Sequence, residues 1–171
     1  VQKIKQLMVD NVIGKPTYFD STRINLGLFQ PDINVLWDLA PHDISILDYL
    51  VADRPFSVNA TGISHTGNGI ENIAYLTVNY QSGFIAHFNC SWTSPVKLRN
   101  ILIGGDKKML LFNDLEPSEK IRIYDKNLKM NKDTLNKLKD KLPHLMDYYS
   151  YSAVSSDYLC VFCGVRIDWK T

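Results

Sequence analysis

The residues best placed to do chemistry are Asp38 and His42, in the run Asp38-Leu39-Ala40-Pro41-His42. Four positions apart, they project from one face of a helix about one turn from each other, provided the helix runs through both. A carboxylate beside an imidazole raises its proton affinity and fixes its orientation, the tuning that an acid/base group needs near neutral pH. The same residues also fit a helix start, with Asp38 as N-cap and Pro41 in the first turn, where a missing N–H costs little. His42 would then be a partly buried histidine without a role. The sequence leaves both readings open.

Arg23 and Asn25 share one face of a strand upstream of that helix and are candidates for the same pocket. The planar fork of an arginine suits a carboxylate or a phosphate. Lys97 and Arg99 fall on one face of a later strand, near Trp92 and Pro95, and form a second candidate site for an anion. Solvated strand faces explain both pairs equally well. Cys160-x-x-Cys163 has no second cysteine pair, only Cys90 and His144 scattered elsewhere, so no zinc site is expected. His65 and His87 are isolated. Gly67-Asn68-Gly69 runs into Ile-Glu-Asn with no third glycine opening a helix, so no dinucleotide fingerprint is present, and the Walker pattern is missing too.

These side chains need a scaffold, and the periodicity supplies one. Ile4, Leu7, Met8 and Val12 recur at helical spacing over residues 1–12, and Gly14 and Pro16 stop that helix. It opens without a cap residue, like the continuation of something longer. Residues 17–25 alternate as a strand. VLWDLAPHDISILDYLVA is the strongest helix, ended by Arg54-Pro55. The chain then turns β-rich. Strands are expected at 56–63, 72–80 and 84–92, with a hairpin at Gln81-Ser82-Gly83. A second hairpin joins 98–103 to 108–113, and another strand covers 120–124. On 84–92 one face carries Phe84, Ala86, Phe88, Cys90 and Trp92, which helices or another subunit must cover. The fold class is therefore α+β, an open and predominantly antiparallel sheet with helices packed on one face. From Asp125 to Lys141 lysines dominate, with a weak helical stripe of Leu135, Leu138 and Leu142. Beyond Pro143 no period is visible.

Composition narrows the classes further. The 171 residues carry 19 Lys+Arg against 18 Asp+Glu, a net charge of +1, which argues against a nucleic-acid or polybasic membrane surface. No apolar run approaches the roughly 20 residues that a bilayer span needs. Three cysteines make no disulfide framework and suit a reducing cytoplasm.

Taken together, VIGKPTYFDSTRINLG, VLWDLAPHDISILDYL and SWTSPVKLRNILIGGDKKMLLFNDLEPSEKIRIYD resemble the C-terminal half of the Gfo/Idh/MocA oxidoreductases, nearest the branch acting on nucleotide sugars. The resemblance covers about residues 1–125. It implies an α/β domain that binds a sugar or nucleotide-sugar substrate and forms a homo-oligomer through its sheet. It makes His42 the candidate proton carrier or hydroxyl orienter with Asp38 beside it, and Arg23, Asn25, Lys97 and Arg99 the substrate-side candidates. It implies NAD or NADP for the full-length enzyme, and no cofactor or metal for this chain alone. The family's Rossmann half and the lysine of its E-K-P element have no counterpart here, and residues 126–171 depart from its pattern. The expectation is half an enzyme, inactive without its cofactor domain. The alternative is a binding or assembly module that kept the sheet and lost the chemistry.

Overall fold

The computed structural model describes residues 1–27 and 29–125, together with the backbone of two short strands at 158–159 and 166–167. The chain divides into two units, Val1–Lys126 and Asn127–Thr171. In the second unit β8 (Tyr158–Leu159) pairs antiparallel with β9 (Arg166–Ile167). The lysine-rich stripe, the Cys160–Cys163 pair and His144 lie outside the described residues.

The first unit opens with α1 (Gln2–Val9), whose Ile4 is fully buried. Two left-handed residues, Asn11 and Gly14, turn the chain into β1 (Pro16–Leu26). A Cβ on Gly14 would stand 1.7 Å from the Asp106 carboxylate, which accepts a hydrogen bond from the Lys15 amide at 2.8 Å. Only glycine fits both the space and the positive φ.

After β1 comes α2 (Val35–Leu50), then β2 (Pro55–Ile63), β3 (Ile73–Tyr80), β4 (Ile85–Ser91), β5 (Thr93–Gly105), β6 (Lys108–Asn113) and β7 (Ile121–Asp125). The seven strands form one sheet in the order β2-β3-β4-β1-β5-β6-β7. Every neighbouring pair is antiparallel except β1 with β4, which run parallel. The architecture is the α+β sheet that the sequence predicts, with hairpins at both expected turns.

Register explains where the core lies. Phe19, Ser21 and Arg23 on β1 stand opposite Ala86, Phe88 and Cys90 on β4, and those stand opposite Val78, Leu76 and Ala74 on β3. On the other side Phe19 and Ser21 meet Ile103 and Ile101 of β5, which meet Leu110 and Phe112 of β6. All of these side chains are buried. Alternation puts them on one face, and α2 packs against it through Val35, Ala40, Leu47 and Leu50. The Phe84–Trp92 face therefore finds cover within the chain, in α2, against which α1 packs. The opposite face, with Tyr18, Asp20, Tyr75, Ile85, His87 and Leu98, carries no helix of this unit and is half-buried to exposed.

Three details differ from the sequence reading. The N-cap of α2 is Asn34, whose side chain accepts from the Trp37 amide at 3.1 Å, so Asp38 and His42 both lie inside the helix and Asp38 caps nothing. Pro41 is an interior proline, which removes the hydrogen bond to the carbonyl of Trp37 and costs about 3 kcal/mol in an ordinary helix. Burial of the apolar stripe on both sides of Pro41 holds the helix together through that gap. Finally, β5 begins at Thr93, five residues before the expected strand, because an irregular stretch between the pairs Leu26–Thr93 and Ile24–Leu98 still belongs to the same ladder.

Candidate functional site

The polar residues of the covered face gather where β1 and β4 end and α2 begins. α2 runs back along β1: Asp38, in its first turn, meets Trp92 just past β4, and Asp43 meets the middle of β1. Trp92 is 2% exposed and donates its indole N–H to Asp38 Oδ2 at 2.9 Å. Its backbone is tied on both sides, the amide to the Asn72 carbonyl and the carbonyl to the Gly27 amide, each at 3.0 Å. Phe29 packs edge-on against the Trp92 ring, with centroids 5.8 Å apart. A side chain on Gly27 would crowd Asn25 Nδ2 at 2.9 Å and the Trp92 ring at 3.2 Å, so glycine lets the chain pass close over the indole.

One turn deeper, Arg23 lies along α2 and donates Nε to Asp43 Oδ2 at 3.0 Å and Nη2 to Oδ1 at 2.5 Å. The Ser21 hydroxyl donates to the same Oδ2. The Arg23 and Asp43 side chains are 11% and 3% exposed, which makes this a buried, bidentate pair. The Asp43 hydrogen bond raises the affinity of Arg23 for its proton, and burial opposes it. Cys90, the β4 partner of Arg23, has its thiol pushed up to about 12, chiefly by burial and then by the Asp43 charge. It is a neutral thiol at physiological pH, neither nucleophile nor metal ligand. No metal-holding cluster of His, Cys, Asp or Glu occurs among the described residues.

The six predicted residues thus fall into distinct settings. Asp38 is half-buried and held by Trp92, and His42, one turn on, is exposed on the outer side of α2. The His42 carbonyl accepts from the Ser45 hydroxyl at 2.8 Å. Arg23 is drawn into the interior by Asp43. Asn25 is half-buried on the same face of β1. Arg99, the β5 partner of Arg23, is half-buried, 3.9 Å from Asp114, and Lys97 is exposed at the same end of the sheet. The structure brings Asp38, Arg23, Asn25 and Arg99 to one end of the covered face, with His42 on the outer surface of the helix above. Sequence reasoning missed Trp92, Asp43 and Ser21 as partners. Ser21 shares the Arg23 face of the strand, and Asp43 follows His42, but nothing in the spacing pairs a strand residue with a helix residue 20 positions on.

The turn from β1 to α2 is not a glycine-rich dinucleotide loop. β1 is followed by a single glycine, Gly27, and then by Pro31, whereas such a site needs a glycine-rich turn from a strand straight into a helix N-terminus.

Comparison with known proteins agrees with this architecture. Residues 1–111 match the GFO/IDH/MocA C-terminal domain. No protein of curated function matches the chain. Among solved structures, the UDP-N-acetylglucosamine 3-dehydrogenase GnnA from Acidithiobacillus ferrooxidans is similar with a TM-score of 0.61 and 21% identity, over 70% of this chain and 39% of that one. The WlbA dehydrogenase from Bordetella pertussis, solved with NADH and UDP-GlcNAcA, is similar at 0.59 and 16%, over 72% and 42%. An inositol dehydrogenase homolog from Azotobacter vinelandii, solved with NADH and myo-inositol, is similar at 0.61 and 12%, over 75% and 40%. The chain spans about two fifths of the length of these structures, and at such identities they establish the fold. With the family match extending over more than half of its residues, this chain belongs to the GFO/IDH/MocA family through that family's C-terminal domain.

Proposed function

We propose that this chain is the substrate-binding and assembly half of an NAD(P)-dependent oxidoreductase acting on a carbinol carbon of a sugar or nucleotide sugar. The observation that carries the proposal is the pair Asp38 and His42, one turn apart on α2, on a helix whose height and rotation over the sheet are fixed by the Trp92 and Arg23 contacts. His42 takes the hydroxyl proton as the carbon is oxidised. Asp38, held by Trp92, orients the imidazole or the hydroxyl. Asn25, Lys97 and Arg99 face the substrate, and Arg23, held inward by Asp43, fixes α2 over them. The hydride acceptor belongs to a nucleotide-binding half that these residues do not include.

The helix-free face of the sheet is the assembly surface in this reading, since the other face is closed by the chain's own helices. No helix of the described residues is long and apolar enough to cross a membrane. The buried free thiol of Cys90 supports a reducing, cytoplasmic setting.

The test joins the chain to a family nucleotide-binding half and follows reduced nicotinamide as UDP-sugars and free sugars are added. His42→Ala should lower kcat by about 100-fold or more, the usual weight of a general acid/base group. An unchanged rate in that variant removes His42 from the chemistry. Steady cofactor reduction by these residues alone would show that a separate nucleotide-binding half is not required. Light scattering checks assembly, and a strictly monomeric state would exclude the sheet interface.

A further inference from the structure

The two edges of the seven-stranded sheet are built differently. β7 is short and guarded by charge: Lys108 pairs with Asp125 at 2.8 Å and Arg122 with Glu119 at 3.0 Å. β2 is nine residues long, PFSVNATGI, without one charge, and every residue on it is exposed. No strand of the described residues pairs with its outer side. A long, uncharged edge offers a free row of backbone donors and acceptors to another strand. We propose that β2 pairs antiparallel with β2 of a second copy, joining two sheets edge to edge about a two-fold axis through Asn59. This contact is separate from the open face of the sheet and does not rest on the oxidoreductase reading.

Self-complementarity selects the occupant. An antiparallel pair centred on Asn59 sets Asn59 against itself, Val58 against Ala60, and Ser57 against Thr61. None of these residues is charged, so the joint buries no ion and meets no like-charge repulsion. The hydroxyls of Ser57 and Thr61 suit each other across strands, and Val58 fits against the small Ala60. The irregularity in the ladder between β2 and β3 lies between Pro55 and Ser57, so the stretch from Ser57 to Thr61 is regular.

The apolar surface beside this edge points the same way. Val58 and Ala60 stand opposite Val78 and Leu76 of β3, which are buried, yet Val58 itself is 61% exposed. The cover that α2 gives the sheet therefore stops short of β2. On α2, Trp37 and Ile44 lie seven positions apart on one stripe and are 74% and 40% exposed. Trp37 lines one groove with Gly69, Ile70 and Glu71 of the loop between β2 and β3, so this stripe looks toward β2. In a two-fold pair both helix-covered faces lie on the same side of the joined sheet. The exposed apolar groups of the two copies then face one another across the joint, and such a patch marks an interaction surface.

An edge joint is small, so the association should depend on concentration. The test follows the mass of the whole chain by sedimentation over a dilution series. Asn59→Lys places like charges on the axis, at a residue already exposed, and should weaken the association at least tenfold. Ile85→Lys, on the open face, should leave it intact. In a chain with Cys160 and Cys163 changed to serine, Asn59→Cys should oxidise to a covalent dimer, because the two axial residues stand within disulfide reach. Ser57→Cys, set opposite Thr61 of the second copy, should not. A monomer at all concentrations, an association indifferent to Asn59→Lys, or equal cross-linking at 57 and 59 overturns the proposal. If Ile85→Lys keeps the full mass while Asn59→Lys halves it, the edge stands and the open-face assembly falls. The reverse result sinks the edge alone.

Discussion

β1 carries a carboxylate paired with a basic side chain on each of its faces, and the two make opposite demands on the fold. On the covered face Arg23 meets Asp43 in bidentate contact, with both side chains nearly out of water and Ser21 filling a further acceptor position. On the open face Asp20 Oδ1 and His87 Nδ1 are 3.5 Å apart, with side chains 49% and 40% exposed, and Tyr75 stacks on the imidazole. Water screens the second pair and competes for it, so it adds little to stability. The first has lost its hydration, and each partner depends on the other. One strand thus holds a lock between sheet and helix on one side and a loosely paired surface on the other. The lock sits five residues from Asp38 and one from His42, so what fixes α2 also fixes the candidate site.

Breaking the lock should have the largest effect. Asp43→Ala leaves the Arg23 guanidinium buried without its partner and should cost about 3–5 kcal/mol, read as a lower denaturation midpoint in urea. A loss under 1 kcal/mol would mean that water reaches Arg23 and that the pair is no lock.

Adjacent residues of β3 sharpen the same contrast. Leu76 is 6% exposed on the covered face, and Tyr75 is 46% exposed on the open one. Leu76→Ala should cost about 2–5 kcal/mol by opening a cavity, whereas Tyr75→Ala should stay within about 1 kcal/mol while the chain is monomeric. A large loss at Tyr75 that depends on protein concentration would instead reveal a partner on the open face.

Cys90 tests the covered face through pH. Its native thiol titrates near 12, against an ordinary value of 9.0, so between these limits the unfolded chain releases a proton that the native chain keeps. Native stability should therefore fall as pH rises from about 9 toward 12, by up to roughly 1.4 kcal/mol per unit. Below 9 the thiol is neutral in both states and adds no slope. Subtracting the pH profile of Cys90→Ala isolates this contribution, and parallel profiles would mean that the thiol is solvated. The smallest change is expected at the exposed pair, where Asp20→Asn should shift stability by less than about 1 kcal/mol at neutral pH, and less still in high salt.

Much of this molecule was legible from residue order, and what was legible was local. Period-two alternation located β1 to β4, β6 and β7 closely, because side-chain direction along a strand is a property of the strand alone. Gln81-Ser82-Gly83 and Gly104-Gly105-Asp106 marked the hairpins, and Gly83 has the positive φ (+84°) that such a turn favours. The helix was legible from Val35 onward, and the alternative start at Asp38 and Pro41 is excluded by the Asn34 cap and the packing of Val35 into the core. Family membership was legible from DLAPHD and its flanking segments, and Asp38 and His42 stood out by their spacing alone.

The sequence by itself determined the alternating faces, the two turns, the apolar stripe of α2 and the spacing that puts Asp38 and His42 one turn apart. The tertiary structure alone decided that β1 runs parallel beside β4, that Arg23 turns inward to Asp43, that Trp92 holds Asp38, and that Trp37 is left in water. The physical reason is distance along the chain. Alternation and turn chemistry act over a few residues, whereas these contacts join groups 20 to 67 positions apart. Such contacts form only when one sheet face is closed and buried polar groups must find partners across it.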